Sequence, residues 1–311
     1  PLFHITMKVI DLVVLLALLV LIGIGFYILY LNLPSQTVYY KEVESKFFSN
    51  ASVKNTYQFY PYMRYKNKEI TFSLDNNCDS KKRDSIYESL SIISENTILQ
   101  FKRNDKKPEI NILCSEINPL PEQKNYFVAG EGGPTEIINT SNYYVILAGK
   151  VSLYRDEVCK KPNVAIHEIL HSLGFDHINN PKSIMYPVTE CKQEIDQIII
   201  DEINQLYSQN NYPDLNILEA QANKSGPYLS FSVTISNEGL EDAQNVSLLI
   251  SANNKEIKAF NLDKIDIGVK KFFMVKNLRI PRDSKFLSIE VNSSSSIELS
   301  DENNKVQLTT N

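Results

Sequence analysis

The chain has 311 residues, 43% of them apolar, and a formal net charge of −5. That length is enough for two domains and an additional segment. The negative balance, with no cluster of Lys and Arg, gives no electrostatic case for nucleic acid.

Leu12 to Leu31 runs 20 residues without a charge, the length that crosses the apolar core of a bilayer. It has no polar face, which separates it from the core helix of a soluble domain. A cleavable signal has a shorter apolar stretch and a small-x-small end. This run ends in Tyr30-Leu31-Asn32-Leu33-Pro34, so a transmembrane anchor over 9–31 is expected, with a cleaved signal as the alternative. Lys8 favours a cytoplasmic N-terminal side, and everything after the anchor is expected outside the cytoplasm. The residues before Met7 read as an upstream extension. Residues 32–56 are polar and aromatic without periodicity and read as a stalk.

From 57 to 211 the pattern mixes short apolar runs with helical spacing. Asp79–Asn96 shows the apolar residues Ile86, Leu90, Ile93 and Ile98 at the spacing of a helix. Ile110–Leu113 reads as a buried strand. Tyr126–Ala129 and Thr135–Ile138 read as strands flanking the turn-rich Gly130-Glu131-Gly132-Gly133-Pro134. Tyr143–Tyr154 is rich in Val, Ile and Tyr and reads as a strand. A helix is expected from Pro162 and a closing helix over Ile195–Tyr207. After Pro213 the period changes to two: Leu229, Phe231, Val233 and Ile235 share one face. Similar runs recur at Val246–Ile250, Ile257–Phe260, Lys271–Val275, Phe286–Val291 and Lys305–Leu308, with turn signals at Asn237-Glu238-Gly239 and Asn253-Asn254. Short strands at that spacing imply a β-sandwich over 212–311.

The helix from Pro162 carries the chemistry. His167-Glu168-Ile169-Leu170-His171-Ser172-Leu173-Gly174-Phe175-Asp176-His177 reads H-E-x-x-H-x-x-G-x-x-H. On a helix, His167 and His171 lie one turn apart on the same face, and both imidazoles can reach one metal ion at roughly 2.0–2.1 Å. Glu168 lies beside the first ligand, where a carboxylate can take a proton from water. Gly174 can adopt a left-handed conformation and stop the helix. The chain can then bring His177 back as a third ligand, and three protein ligands leave a position open for catalysis. Three of the four histidines of the chain are in this motif, so one zinc is expected.

Four cysteines follow the anchor. In an exported chain an even count suggests two disulfides, with three possible connectivities. Cys78 and Cys114 follow the apolar runs Ile70–Leu74 and Ile110–Leu113, whose ends meet if the strands are parallel neighbours. Cys159 precedes the metal helix and Cys191 follows it, so this pair would brace the site.

The motif, with Ser183-Ile184-Met185-Tyr186-Pro187 downstream, resembles the metzincin proteases and most closely the matrixin family. Met185 then corresponds to the Met-turn beneath the zinc, and Tyr186 and Pro187 to the wall of the pocket for the side chain after the cut. Met63–Phe72 is similar to the opening strand of that catalytic domain, and Asp201–Tyr207 to its closing helix. Two departures stand out. No Pro-Arg-Cys-Gly cysteine switch exists, and the histidines of a structural zinc site are missing. The resemblance implies calcium as a possible cofactor, with no residues to place it on. Ile235–Gly239 and Ser300–Asn304 resemble the CARDB-like immunoglobulin-type modules of surface proteins.

The fold class expected is therefore α+β: one transmembrane helix, a metzincin-like domain with a mixed sheet and three helices, and an all-β immunoglobulin-like sandwich. The resemblance implies a membrane-anchored zinc endopeptidase with Glu168 as general base, acting on protein or peptide substrates. An extended substrate would pair with the edge strand Thr135–Asn139. A surface partner for the sandwich is the further expectation. The alternative is a non-catalytic surface binding protein with a relict zinc domain.

Overall fold

A computed structural model describes residues 2–43, 57–115, 128–294 and 297–309. Helix α1 spans Leu2–Leu31. Its window Val14–Leu31 has a mean hydropathy of 2.8 and is wholly exposed, so the helix is long and apolar enough to cross a membrane. The stretch read as a stalk contains a strand, β1 (Thr37–Val43). Periodicity could not reveal it, because Val38, Tyr39 and Tyr40 are all exposed and β1 buries neither face. The rest of that stretch, 44–56, lies outside the described residues.

The first domain is built on a sheet in the order β2 (Met63–Tyr65), β7 (Tyr144–Leu153), β5 (Ile110–Cys114), β3 (Glu69–Leu74), β4 (Gln100–Arg103). These neighbours pair parallel. Among the described residues strand β6 (Gly130–Asn139) pairs with β7 only, and it does so antiparallel, which makes the sheet mixed. Helix α2 (Ser80–Asn96) is capped by Asp79, whose side chain accepts from the Lys82 N–H. Ile86, Leu90 and Ile93 of α2 join Ile166, Ile169 and Leu170 of α3 (Asn163–Ser172) in one core with the sheet. Helix α4 (Gln197–Ser208) closes the domain through Ile199, Ile203 and Tyr207.

Two expectations change here. The glycine run 130–134 is not a turn but the first half of β6. Glycine is there for close approach, as the site shows below. Of the strand expected at Tyr126–Ala129, Tyr126 and Phe127 lie outside the described residues, and Val128 and Ala129 are not in a strand. The disulfides are Cys78–Cys114 and Cys159–Cys191. The first joins the ends of β3 and β5, which are indeed parallel neighbours.

The second domain is a sandwich of two sheets, in the orders β1-β12-β9-β8 and β11-β10-β13-β14. Its strands are β8 (Leu215–Ser225), β9 (Tyr228–Asn237), β10 (Ala243–Ala252), β11 (Lys255–Ile265), β12 (Lys270–Arg279), β13 (Phe286–Ser293) and β14 (Lys305–Thr309). Leu229, Phe231, Val233 and Ile235 pack in the core. Asn253 and Asn254 both have positive φ and make the two-residue hairpin that their sequence suggested. Strand β8 was not legible because it is a mostly exposed edge. Strand β1, from before the first domain, adds to the other edge of the same sheet.

The domains meet through a small apolar cluster, Val145 with Leu240 and Ile267, joined by Ile138 and Tyr143. Gly268 has φ +70° and lies where a Cβ would come within 2.2 Å of Ile138 Cγ2. Lys66 Nζ reaches Glu241 Oε1 at 2.8 Å across the same seam.

Candidate metal centre

Helix α3 begins at Pro162, which offers no side-chain cap. Glu157 substitutes: its Oε2 accepts from the Val164 N–H at 3.0 Å. At the other end Gly174 takes φ +98°, and the left-handed turn sends the chain back over the helix. A Cβ there would stand 2.6 Å from Met63 Cγ, so glycine is required by space as well as by conformation.

His167, His171 and His177 come together as expected, with one ligand atom of each within 4.8 Å of the others. Two of the rings are held from behind. His167 Nδ1 donates to the Ile184 carbonyl at 2.6 Å, and His171 Nδ1 to the Phe175 carbonyl at 2.7 Å. A proton held on Nδ1 leaves Nε2 with a lone pair. His171 Nε2 stands 3.2 Å from His177 Nε2. Two tetrahedral ligands at roughly 2.0–2.1 Å from one ion would be about 3.3 Å apart, so the donor set fits zinc. Burial, then the neighbouring His171, pushes His167 down to about 4. Burial also lowers His171. Both imidazoles are thus held neutral, the state that ligates metal.

Glu168 is 7% exposed. Burial, with the charge of Glu131 added, pushes its carboxyl up to about 8. A carboxylate in that state is a stronger base than a solvated one. Strand β6 lies directly against it. A Cβ on Gly130 would be 2.7 Å from Glu168 Cγ, and one on Gly132 would be 2.0 Å from the Glu168 carbonyl oxygen.

Beneath the histidines, Met185 is fully buried. Its N–H donates to Ser183 Oγ at 3.0 Å, its carbonyl accepts from the Ile178 N–H at 2.9 Å, and Ser183 Oγ donates to Asp196. The turn therefore fixes both Ile184, which holds His167, and Ile178, which follows His177. Tyr186 is half-buried with its N–H on the Ser183 carbonyl; Pro187 is exposed. Sequence reasoning missed the strap over the site. Gln58 bridges to Phe175, the Phe59 N–H donates to the Gly174 carbonyl at 2.9 Å, and the Phe59 ring stacks on His171 at 5.7 Å. No motif marks it; only the nearby aromatics Tyr57, Phe59 and Tyr60 hinted at packing.

Residues 64–208 match the family model for matrixin, and residues 212–308 match the model for CARDB. No curated protein matches the chain. Among solved structures, the hatching enzyme zinc-protease high choriolytic enzyme 1 from Oryzias latipes is 15% identical. It aligns over 47% of this chain and 95% of that one, with a TM-score of 0.29. A CARDB domain from Pyrococcus furiosus, solved in complex with di-metal ions, is also 15% identical. It aligns over 32% of this chain and 90% of that one, with a TM-score of 0.26. An archaellum periplasmic stator protein from Sulfolobus acidocaldarius is 11% identical, over 31% and 99%, with a TM-score of 0.22. The two family matches give the chain a matrixin-like domain of the metalloprotease type followed by a CARDB-like domain.

Proposed function

We propose that the matrixin-like domain is a zinc endopeptidase held at a membrane by α1 and acting outside the cytoplasm. The observation that carries this reading is the convergence of three imidazoles, two of them fixed in tautomer by backbone carbonyls, beside a buried carboxylate. His167, His171 and His177 would hold one zinc. Zinc so held supplies a Lewis acid for the scissile carbonyl and lowers the pKa of water.

The chain's own residues do the rest. Glu168 accepts the proton of the attacking water on its carboxylate. It then delivers that proton to the amine nitrogen as the peptide bond breaks. Met185 and its turn keep the His167 ring in register through Ile184. Among the described residues strand β6 is bonded on one side only, to β7, and its other edge can take an extended peptide as an added strand. Tyr186 and Pro187 would flank the side chain that follows the cut. The sandwich, exposed on the same side of the membrane, is available to a surface partner.

The test is metal content together with cleavage of an unfolded protein. Purified chain is expected to carry one zinc, and Glu168→Ala to keep the zinc while losing hydrolysis by at least about 10³-fold. Near-normal turnover of the Glu168→Ala protein would sink the assignment, as would two tightly bound zincs per chain.

A further inference from the structure

The sandwich is electrically polarised along its strands. Six basic side chains gather at one end: Lys224, Lys255, Lys276, Arg279, Arg282 and Lys285. Hydrogen bonds bring their segments together. Arg279 stands opposite Tyr228, at the turn joining β8 to β9. The Ile280 N–H donates to the Pro227 carbonyl at 2.8 Å, and Lys224 Nζ donates to the carbonyls of Arg282 and Ser284 at 3.0 and 2.7 Å. The Asn253 N–H, in the hairpin that leads to Lys255, donates to the Phe286 carbonyl at 2.8 Å. Lys255, Lys276, Arg279 and Arg282 are exposed and have no ion pair among the described residues. Phe286 beside them is 67% exposed. Against this stand the acidic residues Glu256 and Asp283. The far ends of the same strands, which meet the matrixin-like domain, carry Asp214, Glu238, Glu241, Asp242 and Asp266 instead. A basic end of this kind stands out in a chain of net charge −5.

The basic end is also where α1 enters. The Asn32 N–H and Nδ2 both donate to the Ile28 carbonyl, and the Leu33 N–H donates to the Tyr30 carbonyl, which closes the helix. Ser35 is already held by the sandwich, its carbonyl accepting from Asn277 Nδ2 at 3.1 Å. Lys276 and Arg279 flank Asn277 on the same strand. The steps of chain from Leu31 to Ser35 reach at most about 14 Å. The polar layer of a bilayer is roughly 5–8 Å deep on each side, and its charge acts over roughly 8–10 Å beyond that. With α1 in a membrane, Lys276 and Arg279 cannot stand clear of the headgroups.

We propose that this end of the sandwich docks on the phosphate headgroups of anionic lipids, with Phe286 entering the interface beside the basic side chains. The proposal rests on the reading of α1 as a membrane anchor and not on the chemistry of the histidines. Each Lys or Arg near an anionic surface strengthens contact roughly fivefold. With the two acidic residues set against the six basic ones, the whole end corresponds to a Kd on the order of 1 mM. A free domain would not stay bound at that strength. A short tether supplies an effective concentration in the millimolar range, so the anchored domain does. The contact therefore orients the chain rather than holding it. Strand β9 runs from Tyr228 at the basic end to Asn237 at the seam, a rise of about 30 Å. The matrixin-like domain is carried that far out from the lipid.

The chain has no tryptophan, so a single introduced Trp reports alone. The full chain is reconstituted into vesicles carrying a headgroup spin label. They are made either of phosphatidylcholine or of equimolar phosphatidylcholine and phosphatidylglycerol. Tyr30→Trp, at the end of α1, should be quenched in both. Phe286→Trp should be quenched at least about threefold more strongly in the anionic vesicles. That excess should vanish at about 1 M salt, where charge is screened within roughly 3 Å. Lys276→Glu with Arg279→Glu and Arg282→Glu should remove the excess too, and the salt series decides if that variant does not fold. Quenching of Tyr30→Trp without quenching of Phe286→Trp would overturn the proposal and leave the anchor standing. So would equal quenching of Phe286→Trp in the two kinds of vesicle. Loss of both signals would overturn the anchor reading, and the docking with it.

Discussion

Gly132 and Glu168 are in backbone contact: a Cβ on Gly132 would stand 2.0 Å from the Glu168 carbonyl oxygen. The edge strand and the helix that bears Glu168 therefore approach more closely than any other residue allows. Neither backbone can yield as a flexible side chain would. Gly132→Ala is expected to push β6 off α3, at a cost of about 1–3 kcal/mol, and to lower kcat/KM on peptides at least tenfold. Gly133, with nothing within 4 Å of its would-be Cβ, is the control. Gly133→Ala should keep both the thermal midpoint and the turnover. Equal activity in the two variants would mean that this contact does not set the geometry of the site.

The Cys159–Cys191 disulfide closes a segment with a sequence separation of 32, and that segment contains His167, Glu168, His171, His177 and Met185. Cys78–Cys114, with a separation of 36, contains none of them. By chain entropy each is worth roughly 3–4 kcal/mol. Replacing either pair by serine should therefore lower the unfolding midpoint by similar amounts. Zinc affinity should divide them. The Cys159/Cys191 replacement is expected to lose zinc to a competing chelator at least tenfold more readily, and the Cys78/Cys114 replacement to hold it as before. Equal zinc retention would show that the Met-turn fixes the histidines without the covalent brace.

The histidine cluster was legible because its spacing is local. His167, His171, Gly174 and His177 fall within 11 positions, and helix geometry alone brings the first pair together. The disulfides were legible for a related reason, since strand ends and helix flanks mark which cysteines can meet. What stayed hidden depends on close approach or distance in sequence. Gly130–Pro134 looked like a turn because glycine signals turns, whereas here it answers to a neighbouring helix. Arg64 gave no signal at all. It is 1% exposed, donates to the carbonyls of Tyr65 and Leu206, and lies 4.4 Å over the Tyr207 ring. It thus ties β2 to α4 with no carboxylate partner among the described residues. Strand β1 was hidden because an edge strand exposed on both faces has no period to read.

Metal-free protein should show a pH-dependent stability set by three buried groups. Burial moves Glu168 from its ordinary 4.5 up to about 8 and His167 from 6.5 down to about 4, and it lowers His171 as well. Between about pH 4.5 and 6.5 the folded chain keeps a proton on Glu168 that the unfolded chain has lost. It also lacks protons on the two histidines that the unfolded chain has gained, and these oppose the Glu168 effect. Above 6.5 only Glu168 remains, the folded state binds more protons, and stability falls as pH rises towards 8. The loss is at most about 2 kcal/mol. Urea midpoints of chelated protein at pH 6.5 and 8 would measure it. Glu168→Gln should flatten the profile in that window. An equal slope in the variant would place the titrating group elsewhere.

Strand β1 sets up a competition that magnitudes can decide. It pairs with β12 over seven positions, from Thr37 opposite Lys276 to Val43 opposite Lys270. Ser35 accepts from Asn277 Nδ2 at 3.1 Å, and Glu42 lies 3.8 Å from Lys271. The matrixin-like domain is thereby inserted between the first strand of the sandwich and the remainder. A cut within 44–56 would leave α1 and β1 held to the rest of the protein by this pairing alone. Seven positions at a net 0.5–1.5 kcal/mol give roughly 4–10 kcal/mol. The exposed side chains of β1 add little, and association of two pieces costs about 4–15 kcal/mol. Pairing that is secure within one chain is therefore weak between two. A specific protease site placed in 44–56 is expected, once cut, to release both domains from membranes without denaturant. The released piece should unfold at a slightly lower temperature, having lost one edge strand. Complete cleavage with both domains still sedimenting with the membrane would reverse the balance. It would make β12 and its lost strand a tether in their own right.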